Sequence, residues 1–257
     1  MASTDNGKVD LTITNGIATI SFYHPVQNSL PAVLLDELTT KIEQAGNDSQ
    51  TRVIILKSEG DRTFCAGASF DELLQVKDKE AGAIFFSGFA NVINACRNSP
   101  KIIIARVQGK SVGGGVGLAA GADYCLATEA AAIKLSELAI GIGPFVISPA
   151  VVRKIGLPAF SQLTIRASDF QTAQWAKEKG LYNEVYADIP AMDEALGTLA
   201  QKLASYHPDA LTGLKQILWE GTEDWAKILK QRAAISGELV LSEFTQQALQ
   251  AFLGGKR

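Results

Sequence analysis

Glu137 stands in an otherwise apolar stretch, Lys134-Leu135-Ser136-Glu137-Leu138, and is the only acidic residue between Glu129 and Asp169. Burial would raise its pKa toward neutrality, where one carboxyl group can both take and return a proton. A helix start behind Ser136, or a surface carboxylate, would use the same residue. Upstream lies Gly113-Gly114-Gly115-Val116-Gly117, between a β-rich run and a small-residue helix. Glycines there let backbone N–H groups approach a ligand with no Cβ in the way, backed by the positive end of the helix. Close packing of that helix on a sheet would call for the same glycines. Phe64-Cys65-Ala66-Gly67-Ala68 is a second strand-to-helix turn. Two such turns with free N–H groups are what an oxyanion hole needs.

Other chemistries are excluded or disfavoured. The frame beginning at Gly113 puts Leu118 where a dinucleotide fingerprint needs its third glycine, and no Gly-Lys-Ser/Thr follows to make a P-loop. His24 and His207 are the only histidines, and each precedes a proline, which suits a turn or helix start. With no HExxH or CxxC spacing, no metal site is expected. Cys65, Cys96 and Cys125 are odd in number and far apart, as reduced thiols of a cytoplasmic protein would be, and Cys65 and Cys125 sit in small apolar surroundings where they would pack.

The elements that must position these residues follow from periodicity. Residues 11–14 and 17–22 are β-rich runs joined by Asn15-Gly16, a type I′ hairpin signal. Pro31 opens a helix with Leu34, Leu35, Leu38 and Ile42 on one face, ending near Gly46. Residues 53–56 and 102–107 read as fully buried strands, with a helix over 80–98 between them. After the glycine run come a helix over 116–122, short strands near 124–127 and 132–135, and a Gly/Pro-rich loop. A helix from Ser168-Asp169 to Gly180, a strand over 182–186 and a strandless helical region from Met192 complete the chain. Buried strands alternating with helices indicate a parallel α/β architecture. The division is drawn as an α/β core of 1–195 and a helical region of 196–257.

The 257 residues suit one large α/β body with an appendage. Twenty-four basic against 27 acidic residues leave a net charge of −3, which argues against nucleic acid as the main ligand. No signal peptide is visible at the N-terminus, and no uncharged stretch reaches the length of a bilayer span. A soluble chain is therefore expected.

The two turns, followed about twenty residues later by Glu137 and a Gly/Pro loop, resemble the crotonase (enoyl-CoA hydratase/isomerase) superfamily. The likeness runs from residues 17–22 and Asn28-Ser29-Leu30 through Asp123 to Gly180-Leu181. In Gly113–Gly117, Leu135-Ser136-Glu137 and Ile147-Ser148-Pro149-Ala150-Val151-Val152 it is most similar to bacterial methylglutaconyl-CoA-hydratase-like members. The resemblance implies a spiral of ββα repeats with a C-terminal helical trimerisation region, packed on a neighbouring subunit in a homotrimer or hexamer. It implies that the N–H groups of Ala68 and Gly114 hold a thioester oxygen and stabilise an enolate, and that Glu137 handles the proton. Ala66, Ala68 and Arg62 would lie beside coenzyme A, which enters as part of the acyl-CoA substrate and not as a separate cofactor. Fatty acid metabolism or branched-chain amino acid degradation would be the setting.

Gly117 departs from the pattern, because hydratases of this family carry a first carboxylate there. Ser69, Ser136 and Phe145 replace a usual aspartate, proline and glycine. Three readings follow: hydration of a 2-enoyl-CoA, a double-bond shift needing one base, and thioester binding with weak catalysis. For hydration, Glu137 must serve both proton steps, or Asp71 or Glu72 must help. Gly117→Glu is expected to raise hydration, provided the pocket admits the side chain.

Overall fold

The computed structural model describes residues 7–254; the N-terminal segment read above and the last three positions of the helical region lie outside the described residues. Strands β1 (Lys8–Thr14) and β2 (Ile17–Tyr23) form the expected hairpin, with Asn15 at φ 51° and Gly16 at φ 78°. Both values are left-handed, as a type I′ turn demands. Helix α1 (Ala32–Asn47) follows, burying Leu34, Leu35, Leu38 and Ile42.

Three repeats come next. Strands β3 (Val53–Ser58) and β4 (Thr63–Cys65) lead into α2 (Phe70–Leu73) and α3 (Lys79–Asn98); β5 (Ile102–Val107) and β6 (Lys110–Val112) lead into α4 (Gly114–Gly121). Strands β7 (Tyr124–Thr128) and β8 (Ile133–Lys134) lead into a 3-10 turn (Glu137–Ile140) and α5 (Ser148–Ile165). The chain closes with α6 (Ala173–Glu178), β9 (Glu184–Tyr186), α7 (Ile189–Ser205), α8 (Pro208–Leu218), α9 (Trp225–Leu239) and α10 (Glu243–Gly254). The first strand of each repeat joins a six-stranded sheet ordered β1-β2-β3-β5-β7-β9, parallel from β2 onward. The second strand of each joins a small parallel sheet, β4-β6-β8. Each crossing from the large sheet to the small one thus ends at a turn that can face the same place.

Side chains alternate across the large sheet as the pleat requires. Ile54, Leu56, Ile103 and Ala105 face the main core with α1, α3 and α4, while Val53, Ile55, Ile102 and Ile104 meet Met192, Leu196 and Ala200 of α7. Both faces are covered, which is why the central strands read as unbroken apolar runs. Residue 195, where the core was drawn to end, falls inside α7.

Three features differ from the sequence reading. Helix α5 occupies part of the expected Gly/Pro loop. Gly156 (φ 72°, ψ 161°) and Pro158 break it into two short halves, and neither is long enough to show a helical period. Helix α6 starts after Thr172, whose side chain accepts the Trp175 N–H, and not at Ser168; Gln171 instead bridges Ile133 across a two-way backbone pair. The helical region also folds back on its own chain: Trp219, Trp225, Leu229 and Ala233 belong to the main core, and α9 lies along α3. Among the described residues no helix is long and apolar enough to cross a membrane.

The fold-back is fastened by a buried charge. Asp123 accepts the Ile103 N–H at 2.7 Å, Lys215 Nζ at 2.7 and 2.9 Å, and Trp219 Nε1 at 2.6 Å. Asp123 and Lys215 are both almost wholly buried, and burial holds the lysine below its ordinary pKa. Removing one partner leaves the other charge uncompensated in the interior. Asp123→Ala should therefore lower unfolding free energy by about 3–5 kcal/mol in urea titrations, well beyond a surface substitution.

Candidate active site

The first turn is assembled from three chain segments. Asn28, held at φ 53° and buried, donates from Nδ2 to the Glu59 and Thr63 carbonyls (2.9 Å each) and accepts the His24 N–H at 3.0 Å. This pins residues 24–28 against the end of β4, where the Ala66 N–H donates to the Gln27 carbonyl. Leu30 then bridges the turn: its N–H donates to the Gly67 carbonyl at 2.8 Å, and its carbonyl accepts the Ser69 N–H at 3.3 Å. With its neighbours committed, the Ala68 N–H has no protein acceptor.

The second turn meets the first backbone to backbone. A Cβ on Gly115 would overlap the Cys65 carbonyl, and one on Gly67 would lie 3.0 Å from the Val112 carbonyl and 3.5 Å from the Gly114 nitrogen. Gly113 caps α4 at φ 54°, its own N–H donating to the Lys134 carbonyl. The Gly114 N–H opens the helix without a protein acceptor, as first-turn amides do. Ala68 and Gly114 line one cavity. Two unpaired N–H groups, one at a helix N-terminus, form a site for developing negative charge on an oxygen.

Glu137 begins the 3-10 turn and lines the same cavity. Its carboxylate would stand 2.9 Å from a Cβ on Gly113, so any side chain there would strike it. Oε2 is buried and takes no hydrogen bond. Loss of hydration pushes the carboxyl from its ordinary 4.5 up to about 7, with its own backbone N–H opposing the shift. The turn is closed by Gly141 (φ 83°), over which Phe244 and Thr245 of α10 pack so tightly that no side chain would fit. The helical region therefore packs on the turn that carries Glu137 of its own chain.

The cavity offers about 80 Å³ to the centres of water molecules and is walled by Phe85, Phe86, Phe89, Ile142, Phe145 and Ile147. Ile147 accounts for Gly117: its side chain fills the space into which a Cβ on residue 117 would point. The admission that Gly117→Glu depends on is thus blocked by an apolar side chain. Glu72 is also committed, since Oε2 accepts the Ala32 N–H at 2.8 Å. Asp71 lines an adjoining outer cavity and not the inner one.

That outer cavity shares Ala66, Ala68, Phe70 and Ser136 with the inner one and adds His24 and Lys134. Lys134 and Lys110 flank the Phe170 ring, their Nζ atoms 4.6 and 5.3 Å from its centroid. Arg62 is exposed and lines neither cavity. The structure thus brings Glu137, Ala68, Gly114 and Ala66 to one cavity and leaves Arg62, expected beside Ala66 and Ala68, apart from it. Sequence reasoning missed the aromatic wall and Ser236 of α9, which also lines the inner cavity. In α3, Phe85 and Phe89 share a helix face at a four-residue spacing, a signal that also marks any core helix.

The family profile described as enoyl-CoA hydratase/isomerase matches residues 12–256. Among curated relatives, the chain is 29% identical over 247 residues to the "Probable enoyl-CoA hydratase" of Bacillus subtilis (strain 168), covering 95% of each chain. It is 30% identical over 211 residues to the carnitinyl-CoA dehydratase of Escherichia coli (strain K12), covering 80% of this chain and 78% of that one. In fold it is similar to the crystal structure of enoyl-CoA hydratase from Bacillus halodurans, with a TM-score of 0.88 at 22% identity over 95% of this chain and 99% of that one.

A Cβ on Gly114 would overlap the Phe89 ring. Gly114→Val should therefore displace the second N–H group and lower 2-enoyl-CoA turnover by about 10²–10³-fold in steady-state kinetics. A near-normal rate would disconnect Gly114 from the chemistry.

Proposed function

The chain belongs to the enoyl-CoA hydratase/isomerase family, and from that premise we propose that it hydrates a short 2-enoyl-CoA with Glu137 as its single proton-transfer group. The observation that carries this reading is that Glu137, with one buried carboxylate oxygen that takes no hydrogen bond, lines one narrow cavity with two unpaired N–H groups. The thioester oxygen lies between the N–H groups of Ala68 and Gly114. Glu137 takes a proton from water as the water oxygen bonds to C3, and the C2–C3 π electrons move onto the thioester oxygen. The enolate so formed collapses when protonated Glu137 returns the proton to C2. Water is added across the double bond and the carboxylate is regenerated. A carboxyl group that titrates near 7 suits both halves of this cycle.

Coenzyme A lies along the outer cavity, with the backbone at Ala66 and Ala68 beside it and Lys134 and Lys110 placed to meet its phosphates. Its contact with Arg62 finds no support in the lining of either cavity. The methylglutaconyl-type substrate is also poorly supported, because its second carboxylate would enter a cavity with no cationic side chain among the described lining residues. A trimer or hexamer is supported by Leu214, Ile217 and Leu218, which α8 exposes.

A second reading is favoured by Ile147. In place of a second carboxylate it presents an apolar wall, which holds water poorly and leaves one base to move a proton between C4 and C2 of a 3-enoyl-CoA. Assaying hydration and double-bond shift on one acyl chain separates the two: the faster reaction identifies the activity.

Glu137→Gln should reduce turnover by about 10²–10⁴-fold while acyl-CoA still binds. Proton abstraction needs the ionised form, so wild-type kcat/KM should rise with pH through an inflection near 7, and the Gln variant should lose that inflection. Equal losses of binding and rate would make Glu137 a structural carboxylate.

Gly117→Glu alone should leave hydration no faster and should cost stability by about 1–3 kcal/mol through overpacking on Ile147. Combined with Ile147→Gly, the added carboxylate should accelerate hydration of crotonyl-CoA over the Ile147→Gly parent. Thermal melts and hydration kinetics on the three variants check both statements.

A further inference from the structure

Two serines line the inner cavity without a part in the mechanism, Ser136 and Ser236, and only Ser236 has a buried hydroxyl with no hydrogen-bond partner. It is 1% exposed, it lines the cavity, and its Oγ has no hydrogen-bond partner. A buried hydroxyl is seldom left in that state, because removal from water is unfavourable unless a partner is supplied. A helical serine has a ready partner in a carbonyl one turn earlier. Ser87 in α3 uses it, donating to the Ala83 carbonyl at 2.7 Å. Ser236 does not.

The packing that places Ser236 is unusually close. A Cβ on Gly82 would lie 2.6 Å from the Cα of Gly237, and one on Gly237 would lie 2.5 Å from the Ala83 nitrogen. Helices α3 and α9 therefore touch through their backbones at a glycine–glycine crossing. The crossing brings Ser236, the residue before Gly237, to the cavity that Phe85 and Phe89 of α3 also line.

We infer that Ser236 is a specificity-determining residue, whose hydroxyl takes a neutral hydroxyl or carbonyl group carried on the acyl chain of the substrate. The inference rests on the enoyl-CoA reading of the site. Charge selects the neutral class. Glu137 is the only ionisable side chain among the described residues lining the cavity, so an acyl carboxylate would face a like charge with no cation. An acyl ammonium group would pair with Glu137 and hold down its proton affinity. A neutral group avoids both and supplies the partner that Ser236 lacks.

The test uses 2-hexenoyl-CoA and its analogues hydroxylated at the fourth, fifth or sixth carbon, with the wild-type protein and with Ser236→Ala. Wild type should favour at least one hydroxylated analogue by about tenfold or more in kcat/KM, because a site built to bond a hydroxyl discriminates against its absence. Ser236→Ala should lose that preference through the hydroxylated substrate alone, with 2-hexenoyl-CoA turned over as well as before. Alanine favours the helix, and Ser236→Cys keeps the side-chain shape with a weaker donor, so it should fall between the two. Parallel losses on both substrates, or no preference in wild type, overturn the inference.

Calorimetric binding of hexanoyl-CoA and its hydroxylated analogues separates this inference from the activity it rests on. A Ser236-dependent preference in binding without turnover supports the inference and removes the hydratase reading. Turnover or binding without the preference removes the inference alone. Failure to bind any acyl-CoA removes both.

Discussion

The close approach of two backbones, at the end of β4 and at the start of α4, is the constraint on which the site depends. Gly115 lies against the Cys65 carbonyl, and Gly67 lies against the Val112 carbonyl, with no room for a Cβ at Gly115 and little at Gly67. Only this proximity lets N–H groups from two repeats line one cavity. The repeats themselves make it available, since each sends its first strand to the large sheet and its second to the small one. The turns that follow β4 and β6 are consequently neighbours in space, although about 45 residues separate them along the chain.

Burial then decides the chemistry. Glu137 is an ordinary carboxyl group whose proton affinity is reset by the apolar wall around it, not by a charged neighbour. Ile147 completes that wall where a second carboxylate would otherwise stand. Ile147 and Glu137 line the same cavity.

The helical region helps to wall the candidate site and is not an appendage to it. Helix α10 packs on the 3-10 turn that carries Glu137, and α9 contributes Ser236. Upstream of both, α8 and the adjoining Trp219 are tied to Asp123 through Lys215 Nζ and Trp219 Nε1.

Local pattern determined a good deal. The Asn15-Gly16 turn, the buried strands read at 53–56 and 102–107, the glycine run and the isolated carboxylate at 137 are all legible from residue type and spacing, because each expresses a backbone or solvation rule within a few residues. The pairing of the two turns is read from their residues and the roles of Ala68, Gly114 and Glu137 from resemblance; in space the three residues line one cavity. Local pattern could not show α5, whose glycine and proline erase its period, nor the true start of α6, where Gln171 is drawn into a bridge by a strand far away. It could not show that Ile147 fills the place vacated at Gly117, that Arg62 points elsewhere, or that Asp123, Lys215 and Trp219 converge. It could not show that Gly82 and Gly237 meet, since a glycine within a helix carries no mark of what it touches. Those facts belong to the tertiary structure, because each is a contact between residues whose nearness is created by folding and by nothing in their own neighbourhood.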